Sequence, residues 1–171
     1  MILSAFKTKN QEVIQVKLYT QKLTKSQAIE ILNWRYPPPY DLYNQEETTE
    51  ALAELMDQSH RAIVDQANHL IGFYCTGQAA QVPKGHEFKV YENAYLDIGL
   101  GMKPELTGKK LGREFLAFIL KELESTTLRL TVATFNHRAI RLYEAFEFKQ
   151  ADTFTNGAVE FITMIRAKNK N

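Results

Sequence analysis

A chain of 171 residues with 44% hydrophobic and 11% aromatic content is long enough for one buried core and too apolar to be a disordered segment. Its 21 basic residues against 20 acidic ones leave a formal net charge of +1, which gives no overall attraction to a nucleic-acid backbone or an anionic membrane, so neither is expected as a partner. The single cysteine, Cys75, excludes an internal disulfide and fits a reducing compartment. Lys7, Lys9 and Asn10 interrupt the N-terminus before a signal-peptide core can form, and the longest wholly apolar run, 115–120, is far short of the roughly 20 residues of a membrane-spanning helix. The expectation is a cytoplasmic protein of one domain spanning 1–171.

In chain order, 15–19 reads as a strand, and Thr24 with Gln27 three residues on forms a capping box that opens a helix, which Pro37-Pro38-Pro39 must end. Ala51, Leu52, Leu55 and Met56 recur at helical spacing within a second helix over 46–59. The short apolar runs 62–64 and 70–74 around Asn68-His69 predict a hairpin, 78–92 a loop, and 94–102 another strand. From about Thr107 a long amphipathic helix buries Leu111, Phe115, Phe118, Ile119 and Leu123. A strand over 128–134 follows, then a short helix capped by Asn136, and a last hairpin closed at Asn156-Gly157 by a type I′ turn. The order is β-α-α-β-β-β-α-β-α-β-β, an α/β (α+β) arrangement.

Between strand and helix, 101–113 carries Gly101, Gly108 and Gly112, and glycines there let backbone N–H groups approach an anion at the positive helix end. Lys110 stands where a Walker A loop needs Ser or Thr, and Pro104 where a dinucleotide fingerprint needs its third glycine. The stretch resembles the acyl-CoA loop of the GNAT superfamily of N-acetyltransferases, with Thr107 in place of the usual Arg or Gln and Lys110 in place of the middle glycine. Asn136-His-Arg-Ala139-Ile-Arg-Leu142-Tyr143-Glu144-Ala-Phe146-Glu147-Phe148 resembles a second block of the same family, with Glu147 replacing a glycine. The resemblance implies a mostly antiparallel central sheet with helices on both faces, acetyl-CoA as co-substrate, and direct transfer of an acetyl group to an amine.

It also implies site residues. Tyr143 matches the family's general acid, and its phenol, with an ordinary pKa of about 10, is protonated at neutral pH; on the residues alone it also reads as a core aromatic. The backbones of Leu100 and Met102 match positions that pair with pantetheine, while Gly101, Thr107, Gly108, Lys109, Lys110, Leu111, Gly112 and Arg113 form the phosphate cradle and Asn136 adds a contact to the pantetheine arm. Asp97, the only carboxylate in the apolar strand 94–102, is the candidate base acting through water, or else faces solvent or a neighbouring loop; Tyr95 shares its face by alternation. The connector 34–43, with Trp34, Tyr36, Tyr40 and Asp41, is the expected acceptor wall, suited to a cationic small-molecule or protein amine. Six carboxylates and no Lys or Arg from Tyr36 to His60 oppose a +3 stretch over 103–113. The four histidines show no metal-ligand spacing, so no metal is expected. The departures at Thr107, Lys110 and Glu147 keep a non-catalytic acyl-CoA-binding module open as the alternative, and a homodimer is an open possibility.

Overall fold

A computed structural model describes residues 2–7 and 13–168. A two-stranded sheet pairs β1 (Ile2–Lys7) with β2 (Val13–Lys17). The main sheet has seven strands: β3 (Tyr19–Lys22), β4 (His60–Val64), β5 (Leu70–Thr76), β6 (Leu96–Met102), β7 (Leu128–Ala133), β8 (Lys149–Asn156) and β9 (Val159–Arg166). Their spatial order is β3-β4-β5-β6-β7-β9-β8, and every neighbouring pair is antiparallel except β6 and β7.

Strand alternation sorts the side chains to two faces. Ala62, Val64 and Leu70 turn to one side, where α1 (Lys25–Leu32) and α2 (Thr49–Leu55) cover them with Ala28, Ile31, Leu32 and Leu55. Ile63, Ile71, Ile98, Leu130 and Val132 turn to the other, under α3 (Gly112–Glu122) and α4 (His137–Glu144), which supply Phe115, Leu116, Ile119 and Tyr143. Helices therefore lie on both faces. Gly72 makes the α3 packing possible: a Cβ there would stand 2.5 Å from the Phe115 ring and 2.4 Å from the Gly101 carbonyl oxygen.

Several boundaries differ from the sequence reading. The strand expected over 15–19 is divided between β2 and β3, with buried Leu18 between them. The Thr24 capping box is present, but the second helix is shorter than 46–59 because the Thr48 hydroxyl caps it, accepting from the Ala51 N–H at 3.1 Å. The loop over 78–92 contains two 3-10 turns. The long helix starts at Gly112 rather than near Thr107, because residues 104–106 form a 3-10 turn and both Gly108 and Lys110 adopt positive φ, +73° and +63°. Glu147, at φ +66°, adopts the left-handed turn after α4 although it is not glycine. In the final hairpin Asn156 pairs with Val159, and of the two turn residues only Gly157 has positive φ; that fits a type II′ turn, not I′.

Candidate active site

The central irregularity of the sheet is the parallel pair. β6 and β7 pair only at Leu96–Leu128 and Asp97–Arg129, yet β6 continues to Met102 and β7 to Ala133. Beyond Asp97 the strands therefore splay apart. Backbone direction follows from the bonds on either side. Lys103 N–H donates to the Ile71 carbonyl, so Gly101 and Gly99, two and four residues back, also bond to β5, and the alternate residues Leu100 and Met102 turn their amides into the splay. On the opposite lip, Thr134 N–H donates to the Glu160 carbonyl on the β9 side, which leaves Thr131 and Ala133 facing the gap.

At the vertex lies an ion pair that closes the splay. Asp97 is 3% exposed and Arg129 1% exposed; Arg129 Nε donates to Asp97 Oδ1 at 2.6 Å and Nη2 to Oδ2 at 2.8 Å. Gln81 Nε2 donates to the same Oδ2 at 2.7 Å, and Arg129 Nη1 reaches the carbonyls of Val90 and Asn93. The guanidinium also stacks on the rings of Tyr91 and Tyr95, at 5.0 and 5.6 Å. The candidate base is thus engaged at both oxygens. By alternation Asp97 projects to the sheet face opposite Ile98 and Leu100, away from α4, and Tyr95 belongs to this cluster rather than to an open cavity. Arg129 was missed in the sequence, although a lone Arg in the apolar run Leu-Arg-Leu-Thr-Val and a lone Asp in another were the visible signal.

Past β6 the chain enters the loop leading to α3. Leu111 is the N-cap, buried and with no side chain capping the helix, so the first amides of α3 have no intrahelical acceptor. Thr107 turns its hydroxyl inward to the Pro104 carbonyl at 2.8 Å. Lys109 and Lys110 are exposed; Lys103 pairs with Glu30 at 2.7 Å, and Arg113 lies 5.3 Å over the Phe146 ring. Two of the four cations counted in the stretch therefore have partners elsewhere. Gly112 lies against α4, where a Cβ would meet Leu142 at 3.3 Å.

Asn136 caps α4, its Oδ1 accepting from the Ala139 N–H at 3.1 Å. Tyr143, two turns along, is buried against Phe148, and that burial raises its pKa well above the ordinary phenol value. It is a neutral phenol throughout the physiological range.

The connector behaves differently from its sequence reading. Trp34 is 7% exposed and packs with α1 and α2 against Phe73, so it is core rather than wall. Tyr36 donates its hydroxyl to the Met102 carbonyl at 2.7 Å, and burial raises its pKa. The Tyr40 ring, expected to receive a cationic amine, already carries the Arg138 guanidinium at 4.6 Å. Asp41 is exposed. Tyr43, not singled out in the sequence, accepts a hydrogen bond from Asn136 Nδ2 at 3.3 Å. Two of the six carboxylates of the acidic stretch lie elsewhere: Glu54 and Asp57 line a separate hollow of about 430 Å³ with Ser59, Thr76 and Gln78. Among the described residues no cluster of three or more His, Cys, Asp or Glu could hold a metal ion, and no helix is long and apolar enough to cross a membrane.

Known proteins share this arrangement. The chain matches the model of the GNAT acetyltransferase family over residues 27–148. No curated protein sequence matches it. Among solved structures, a spermidine N-acetyltransferase chimera from Vibrio cholerae and hSSAT superposes with a TM-score of 0.62 at 20% identity, covering 88% of this chain and 95% of that one. The ribosomal-protein-S18-alanine N-acetyltransferase of Escherichia coli gives 0.61 at 19% identity, covering 91% and 96%. A Salmonella typhimurium structure solved with acetyl-CoA as its cofactor gives 0.58 at 13% identity, covering 90% and 95%. These likenesses share a fold; the family match, spanning well over half the sequence and both motif blocks, places the chain in the GNAT acetyltransferase family.

Proposed function

We propose that the chain works as a single unit that transfers an acetyl group from acetyl-CoA to a primary amine by direct attack. The observation that carries this reading is the splay, which leaves the backbones of Leu100, Met102 and Ala133 facing a gap beside a buried phenol and an uncapped helix N-terminus. An extended, amide-bearing arm such as pantetheine can pair with those strand groups, and the amides of α3, with Lys109 and Lys110 close by, suit its pyrophosphate. The neighbour bound to acetyl-CoA supports the same ligand.

Each step then has a residue. A β6 amide facing the splay donates to the thioester oxygen as it becomes anionic. The amine nitrogen, having given the proton of its cationic form to water, bonds to the carbonyl carbon; the C–S bond breaks, Tyr143 gives its phenolic proton to the leaving sulfur, and the second proton shed by the nitrogen returns through water to restore the Tyr143 phenol. Asp97, fixed to Arg129, acts as a clamp on the splay and not as the base. Tyr36 and Asp41 form the acceptor side; the exposed Asp41 carboxylate suits a cationic amine, while the Tyr40 face is taken by Arg138. Two structural neighbours are named for amine acceptors, spermidine and a protein alanine.

The test is the melting temperature with acetyl-CoA, with ATP and NAD as controls, followed by thiol release against a panel of amines. At 100 times Kd the ligand adds about 2.7 kcal/mol, which for this length raises Tm by about 5–10 °C. No selective rise, or no thiol release with any amine, refutes the reading.

A further inference from the structure

The connector between α1 and α2 crosses the open end of the splay and touches both lips. On the β6 lip, Tyr36 bonds to the Met102 carbonyl. Just past the β7 lip, the Tyr43 oxygen accepts from Asn136 Nδ2. The Tyr43 ring leans on Phe135 with centroids 6.3 Å apart, and the residue is 38% exposed.

Asn136 and Tyr143 lie seven residues apart, on one face of α4, and helical side chains lean toward the helix N-terminus. The Tyr143 phenol therefore extends back toward Asn136, whose amide bonds the Tyr43 hydroxyl. Asn136 Oδ1 is committed to the helix cap, so the acceptor offered to Nδ2 sets how the rest of that amide is presented. Tyr43 is that acceptor.

We propose that Tyr43 is a positioning residue for acetyl transfer, acting through Asn136 and Tyr143 from the acceptor side of the splay. This rests on the transferase reading above. It also gives the connector a role beyond contact with the amine: the segment that walls the acceptor orients the group that protonates the leaving sulfur.

The test compares Tyr43→Phe and Tyr43→Ala by steady-state kinetics, by melting temperature, and by NMR of protein labelled at the tyrosine Cζ carbon, with Tyr143→Phe assigning the Tyr143 signal. Tyr43→Phe keeps the ring against Phe135 and loses only the hydroxyl. It should melt with the wild type, hold KM for acetyl-CoA within about twofold, lower kcat by roughly three- to tenfold, the worth of one hydrogen bond, and shift the Tyr143 signal. A Phe variant with wild-type kcat, while Ala alone is slowed, reduces Tyr43 to packing and overturns the proposal. If the wild type acetylates no amine, the transferase reading fails by itself and the NMR decides: a Tyr143 signal unmoved by Tyr43→Phe overturns the coupling, and a shifted one upholds it.

Discussion

The buried pair Asp97–Arg129 makes the sharpest separation between a clamp and a catalytic base. Asp97→Leu leaves a guanidinium that is 1% exposed with only two backbone carbonyls as acceptors; Arg129→Met leaves a carboxylate that is 3% exposed with only Gln81 as donor. Removing one partner of a buried pair costs about 3–5 kcal/mol, because the remaining charge is neither solvated nor compensated. For a domain of this length each kcal/mol moves Tm by about 2–4 °C, so each single variant should melt about 6–20 °C lower. The double variant Asp97→Leu/Arg129→Met buries no orphan charge, and should recover at least half of that loss. The assay is thermal unfolding followed by far-UV circular dichroism for the wild type and three variants. Single variants within about 3 °C of wild type, or a double variant as unstable as the sum of the two, would refute the clamp. A well-folded Asp97 variant that has lost only turnover would restore it as a base.

Four further outcomes rest on other parts of the structure. Tyr143→Phe should leave the affinity for acetyl-CoA unchanged and lower kcat by roughly 10²- to 10⁴-fold, measured by thiol release, since it removes a proton donor and nothing from the strand lips. Lys110→Gly relieves a left-handed lysine at φ +63° and should raise Tm by about 1–3 °C, whereas Gly72→Ala, whose Cβ would stand 2.4 Å from a backbone oxygen, should unfold the protein or shift its melting point far down. Burial lowers the pKa of His60 below the ordinary 6.5, so its neutral form is favoured in the fold; that stability is complete above pH 6.5 and is lost as pH falls through the lowered value. The Tm of wild type should therefore drop more steeply between pH 7 and pH 5 than that of His60→Gln.

Local signals in the sequence placed most elements. The capping box at Thr24, the Asn136 cap and the apolar periods of β4, β5 and α3 depend on neighbours within a few residues, so they survive into the fold as written. The same holds for Tyr143, buried on α4. Where α3 begins was not local: the turn at 104–111 takes its path partly from Lys110 in a conformation that its side chain disfavours.

What only the tertiary structure decided is the environment of each polar group. Asp97 read alone is an expensive acid in an apolar strand; its partner lies 32 residues away, on a strand that pairs with β6 for two residues and then departs. Tyr40 and Tyr43 look alike in the connector, yet one carries a guanidinium from α4 and the other meets the α4 cap. Sequence patterns report which residues want burial or a cap, because those preferences act over one or two turns; which carboxylate is neutralised and which tyrosine hydroxyl finds a partner depends on contacts between strands and loops far apart in the chain.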